Sequence, residues 1–134
     1  EAIALRPDEP VAYFNLGAAL FNSAQSGHLE AQRHLEARER LPVGSERWAV
    51  ATARSFSMLA QEVCAEVAKP EWWNDEELKA LSARVVRAAP DDLGANKMRA
   101  LVLGGRADDT WEAAPRSAAE LREAAAHFER AAAL

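Results

Sequence analysis

An all-α stack of about three antiparallel helix pairs, an α-solenoid, is the fold class predicted by three observations on this 134-residue chain. The segment Glu30-Ala31-Gln32-Arg33-His34-Leu35-Glu36 returns as Glu123-Ala124-Ala125-Ala126-His127-Phe128-Glu129, and both copies run on to a leucine, Leu41 and Leu134. Such self-similarity marks one small unit used repeatedly, none of which buries its apolar face alone. Alanine abounds and β-branched residues are few, so the intrinsic preference is helical nearly throughout. No segment alternates apolar and polar residues convincingly at period two, so no strand is predicted.

Each helix is delimited by its own punctuation. Glu1-Ala2-Ile3-Ala4-Leu5-Arg6-Pro7 reads as the tail of the same unit, the last turn of a helix stopped by Pro7. Asp8 can cap the next helix, with Glu9 and Pro10 in its first turn. From Val11 to about Ala24, apolar residues cover more than one face, which predicts a helix sandwiched between neighbours. Ser26-Gly27 breaks it, and His28 to about Arg40 forms the partner, which stops before Pro42. Ser45 caps a long helix, expected over Glu46 to about Lys69 and ended by Pro70. Asn74 with Glu77 forms a capping-box-like start for Asp75 to Ala88, ended at Pro90. Asp91 or Asp92 opens a helix to about Leu103, closed by Gly104-Gly105. After a polar insertion containing Trp111 and Pro115, Ser117 with Glu120 makes a second capping box for the last helix.

Length and charge narrow the function classes. The chain suits a single domain over residues 1–134, divided into units at 8–42, 43–90 and 91–134. A net charge of -5 with interleaved signs argues against a nucleic-acid binder, which needs a basic stripe. No apolar run approaches membrane-spanning length and no signal-peptide pattern opens the chain, which points to an intracellular protein with no membrane partner. The helix tail at Glu1–Leu5 and the match of Leu134 to Leu41-Pro42 imply a fragment of a longer chain with apolar cut faces.

The residues resemble a family, the tetratricopeptide (TPR) repeats, whose helix pairs recur about every 34 residues. Six residues after Pro7, Pro42 and Pro90 stand Tyr13, Trp48 and Asn96, at the family's early aromatic position. Four residues further lie Gly17, Thr52 and Ala100, small side chains where helices must approach closely, and Tyr13-Phe14-Asn15-Leu16-Gly17 is the best single match. In the second helices, Ala31 and Leu35 align with Ala124 and Phe128, the small-large pair that interlocks with the first helix. Departures are the longer second unit, the Arg106–Arg116 insertion, Asn96 in an aromatic's place and Arg99 in a leucine's. The resemblance implies a right-handed, TPR-like solenoid with irregular repeats.

Chemical readings find little support in the pattern. His28 and His34 fall on different sides of a helix, and neither belongs to an HExxH motif. Glu30/His34 and Glu123/His127 suit half-exposed i,i+4 contacts better than metal ligation. Cys64 lacks a cationic neighbour that would activate it and reads as a packing residue. Asp75-Glu76-Glu77 lies in a first helical turn, where negative charge offsets the helix dipole. No catalytic residue, metal ligand or cofactor site is therefore predicted, and the segment reads as a non-enzyme.

The leading functional expectation is a protein–protein interaction scaffold. By the resemblance, the first helices line a concave groove, with Phe14, Phe21 and Asn22 from the first unit, Phe56 from the second and Lys97 from the third. Glu46, Ala49, Ala53, Ser57 and Leu101 face the same groove. Phe14, Phe21 and Phe56 would favour an apolar or amphipathic partner segment, unless these rings pack inside the stack. Trp72-Trp73 is a secondary contact candidate: both rings pack, or one meets a partner. The alternative function is a structural accessory segment of a larger enzyme or multisubunit complex. Trp48, Tyr13, Leu16, Leu35, Leu59, Val63, Leu81, Val85, Leu101, Leu121 and Phe128 are the expected core.

Overall fold

The computed structural model describes residues 27–61, 69–105 and 110–134, among which there are five α-helices and no strand. They are α1 Gly27–Arg40, α2 Glu46–Leu59, α3 Asp75–Ala88, α4 Leu93–Gly104 and α5 Ala118–Ala133. Each begins or ends where the local chemistry demands. Ser45 accepts from the Trp48 amide at 3.1 Å, Asn74 from Glu77 at 3.0 Å and Asp92 from Ala95 at 2.9 Å. Side-chain oxygens thus take up amides that have no partner inside the helix. Ser117 and Glu120 close a reciprocal capping box. Asn74 and Glu77 form only half of one, because the Glu77 carboxylate meets the Asn74 side-chain amide rather than its backbone. Gly105 terminates α4 at φ 65°, a left-handed conformation that glycine adopts without a Cβ penalty.

Consecutive helices pack on one another, and α2 also packs on α4. Side-chain contacts give the direction for two pairs. Phe56 in the last turn of α2 meets Trp73 just before α3, while Trp48 in its first turn meets Arg84 near the end of α3. Arg130, near the end of α5, donates to the Pro90 carbonyl just before α4, and Arg99 in α4 reaches Glu123. Both pairs are therefore antiparallel.

α2 is buried over much of its circumference, with Trp48, Ala49, Ala51, Thr52, Ala53, Ser55, Phe56, Met58 and Leu59 all inside. Its run of small residues lets α1, α3 and α4 approach the same helix closely. Leu78 and Val85 from α3, with Ala95, Met98 and Val102 from α4, complete the centre of the core.

Several expectations need correction. α2 ends at Leu59, not near Lys69, and its last turn is tightened by a Gln61 amide bond to the Met58 carbonyl. Ending there sets Phe56, in the last turn, against the Trp73 ring just before α3, with the ring centroids 5.2 Å apart.

Trp48, Leu59, Leu81 and Val85 are buried as expected, and Leu35 and Leu101 pack partly buried against the core. Leu121 and Phe128 are instead 49% and 41% exposed. α5 turns Ala124 and Ala131 inward against α4, which leaves its larger apolar residues on the other side. His34 is fully buried rather than half-exposed, because it shares a helix face with the buried Ala31 and Ala37. Tyr13, Phe14, Leu16, Gly17, Phe21, Asn22, Val63 and Cys64 lie outside the described residues.

Candidate functional site

Three arrangements bear on function: an aromatic junction, a polar seam and an exposed apolar strip. The junction forms where the connection before α3 meets the insertion before α5. Phe56 touches Trp73 at 5.2 Å and Trp111 at 5.9 Å between ring centroids, and Trp73 contacts Trp111 edge-on at 6.0 Å. Edge-on and tilted arrangements of this kind suit aromatic quadrupoles. Trp73 donates from Nε1 to the Thr110 carbonyl at 3.0 Å, so its polar atom is satisfied although the ring is buried. Trp72 stays half-buried, 5.7 Å from Trp73.

The two tryptophans therefore divide their roles. Trp73 packs and Trp72 keeps a surface. Phe56 is only 1% exposed, so in this state it offers no face to a partner and belongs to the core. That corrects its placement in an open groove; its matching position on a first helix could not reveal that Trp73 and Trp111 would cover it. Of the other groove candidates, Lys97, Glu46 and Ser57 are exposed, Ala49 and Ala53 are buried and Leu101 is half-buried.

Asp75 holds the junction together. Its carboxylate accepts from Arg116 at 2.8 Å, from Trp111 Nε1 at 2.9 Å and from the Ala114 amide at 3.1 Å. Arg116 also donates to the Leu103 and Val102 carbonyls, at 3.0 and 2.8 Å, at the end of α4. One ion pair thus ties the start of α3, the end of α4 and the insertion. The Arg116 guanidinium, then the Trp111 and Ala114 donors, hold the Asp75 carboxyl far below the usual carboxylate range against the opposing effect of burial. The sequence offered a capping role for Asp75 but no sign of Arg116, since the two are far apart along the chain and share no motif.

The polar seam joins α4 to α5. Asn96, fully buried, donates to the Pro90 and Asp92 carbonyls at 2.9 Å each and faces His127 Nδ1 through its own oxygen at 2.9 Å. Arg99 bridges the Lys79 carbonyl, Ser82 and Glu123. The two departures from an apolar pattern are therefore a matched pair of polar connectors. His127 also approaches Glu123 at 3.4 Å, the expected i,i+4 contact. These groups satisfy one another, and no nucleophile–base pair occurs among them. No group of three or more His, Cys, Asp or Glu side chains among the described residues is placed to hold a metal ion.

The strip runs along α5. Leu121, Ala125 and Phe128 are exposed at helical spacing, followed by Leu134 at 52% exposure. The sequence counterparts of Phe128 and Leu134 are covered: Leu35 of α1 packs against the core and Leu41, just past α1, is 8% exposed, with α2 packed on α1. No helix among the described residues is long and apolar enough to cross a membrane. No protein-family model matches the chain, and no curated protein or solved structure does either.

Proposed function

We propose that this chain is a non-catalytic protein–protein interaction scaffold built as a right-handed, TPR-like solenoid, which takes up an apolar or amphipathic helix of a partner. The ordered contacts of each helix with the next, together with the skip contact from α2 to α4, support stacked pairs. The observation that carries the binding reading is the exposed α5 strip, in which Leu121, Phe128 and Leu134 are all at least 41% exposed.

The occupant follows from internal comparison. Leu35 and Leu41, the counterparts of Phe128 and Leu134, are covered where α2 packs on α1, and α2 is rich in small side chains with Trp48 and Phe56 as large ones. A partner helix of similar make-up suits α5, with its large side chains seated between Leu121 and Phe128. Lys97 on α4 and the first-unit residues Phe14, Phe21 and Asn22 remain the proposed continuation of a partner groove. The alternative, a structural accessory segment, rests on the same strip being covered by another part of a larger assembly.

A peptide spanning residues 42–60 serves as the probe, since it contains the helix that covers α1. It should bind the intact chain and shift the amide resonances of α5. Replacing Leu121 and Phe128 together by Ala should weaken binding by roughly tenfold or more, with helicity unchanged by circular dichroism. Equal binding by the double variant would dismiss α5 as the site.

A further inference from the structure

At Trp48 of α2, two arginines share one indole. The Arg38 guanidinium carbon of α1 lies 5.5 Å from the Trp48 ring centroid, and that of Arg84 of α3 lies 5.4 Å from it. Arg38 is also 5.1 Å from the half-buried Trp72 ring. Arg38 Nε donates to Thr52 Oγ1 at 2.8 Å, which fixes the plane of the fork. Its terminal nitrogens, and all those of Arg84, have no hydrogen-bond acceptor among the described residues.

The other ion-paired cations set the contrast. Arg33 pairs with Glu36, Lys79 with Glu120, Arg99 with Glu123, Arg116 with Asp75 and Arg130 with Asp91. The chain carries 21 acidic and 16 basic residues, so carboxylates are in surplus, yet among the described residues none is in ion-pair contact with Arg38 or Arg84. Burial lowers the Arg38 pKa, the nearby Glu39 raises it and Arg84 lowers it again. The two like charges therefore repel each other. Cation–π contact with Trp48 and Trp72 holds the side chains in place without neutralising them.

We propose that Arg38 and Arg84, with Trp48 as floor and Trp72 as wall, form a binding site for the carboxylate of an acidic peptide segment. Two planar forks fit a carboxylate bidentately, and the half-buried face of Trp72 accepts an adjacent apolar side chain. A polyphosphate or nucleic-acid strand would need a longer basic track, and the chain's net charge of -5 opposes it. The site lies on α1 and α3, apart from the α5 strip, and does not depend on it.

The test uses the full chain with the arginine Nε–H resonances observed at low salt. The probes are a capped hexapeptide alternating glutamate and leucine, the same peptide with glutamine for glutamate, and inorganic phosphate. The glutamate peptide should shift Arg38 and Arg84 saturably, and the glutamine peptide should not. Arg84→Gln, at an exposed position, should lower the affinity roughly tenfold, the loss expected for one charge-assisted fork. Leu121→Ala with Phe128→Ala should leave it unchanged, which separates this site from the α5 strip. Equal binding of the two peptides, competition by phosphate at the peptide's own concentration, or an unaltered affinity in a natively helical Arg84→Gln variant would each overturn the proposal.

Discussion

Removing the Asp75 carboxylate, as Asp75→Ala, should be among the most damaging polar substitutions in this chain. Arg116 has a side chain 5% exposed and Asp75 one 14% exposed, so the pair is largely withdrawn from water. Stripping one partner from a buried pair costs about 3–5 kcal/mol, because the other charge stays desolvated and uncompensated. Arg116 keeps its bonds to the Leu103, Val102 and Ala114 carbonyls, which places the expected loss near the lower end, about 3 kcal/mol. Urea unfolding followed by circular dichroism measures it directly. Asp75→Leu combined with Arg116→Met should recover much of the loss, since an apolar pair leaves no charge stranded.

The effect should also depend on pH. The folded-state pKa of Asp75 is depressed, so its contribution is fully present above the unfolded value of about 3.9 and fades as the pH falls toward the folded value. The gap between wild type and Asp75→Ala should therefore narrow below about pH 4. A loss under about 1 kcal/mol at neutral pH, the magnitude of an exposed ion pair, would refute the account of this junction as a buried lock.

His34 gives a second pH window. Burial, and after it the Arg54 guanidinium, pushes its pKa down from 6.5 to about 4. A depressed histidine stabilises the fold above its unfolded value and loses that contribution between about pH 6.5 and 4. Neither ring nitrogen has a hydrogen-bond partner among the described residues, so His34→Leu should be neutral or stabilising by about 1 kcal/mol and should flatten stability across that window. Phe56→Ala should cost about 3–5 kcal/mol by thermal or urea melts, as a core aromatic does; a negligible loss would return Phe56 to an exposed groove. Gly105→Ala should cost on the order of 1 kcal/mol at its φ of 65°, with a new Cβ also 3.4 Å from that of Ala113. Ser117→Ala should cost about 1 kcal/mol through the lost capping bond, visible as faster amide exchange in the first turn of α5.

Much of the secondary structure was legible in the chain because its signals are local. Ser45, Asn74, Asp92 and Ser117 cap helices through atoms three residues away, and Gly105 ends one by its own backbone freedom. Helical propensity and the absence of period-two patterning, likewise properties of short windows, agree with the all-helical result. The inward placement of Trp48, Thr52 and Ala100 was also readable, since spacing along a helix determines which side chains share a face.

What the chain could not reveal depends on partners distant in sequence. Asp75 finds Arg116, Phe56 is roofed by Trp73 and Trp111, and Asn96 meets His127, each through contacts that no local pattern encodes. The same blindness explains the two copies of the repeat. Leu41 and Leu134 are equivalent by sequence, yet one is buried and the other exposed. Local chemistry sets the helix and its apolar face, but burial depends on which elements pack against that face, and among the described residues α2 packs on α1.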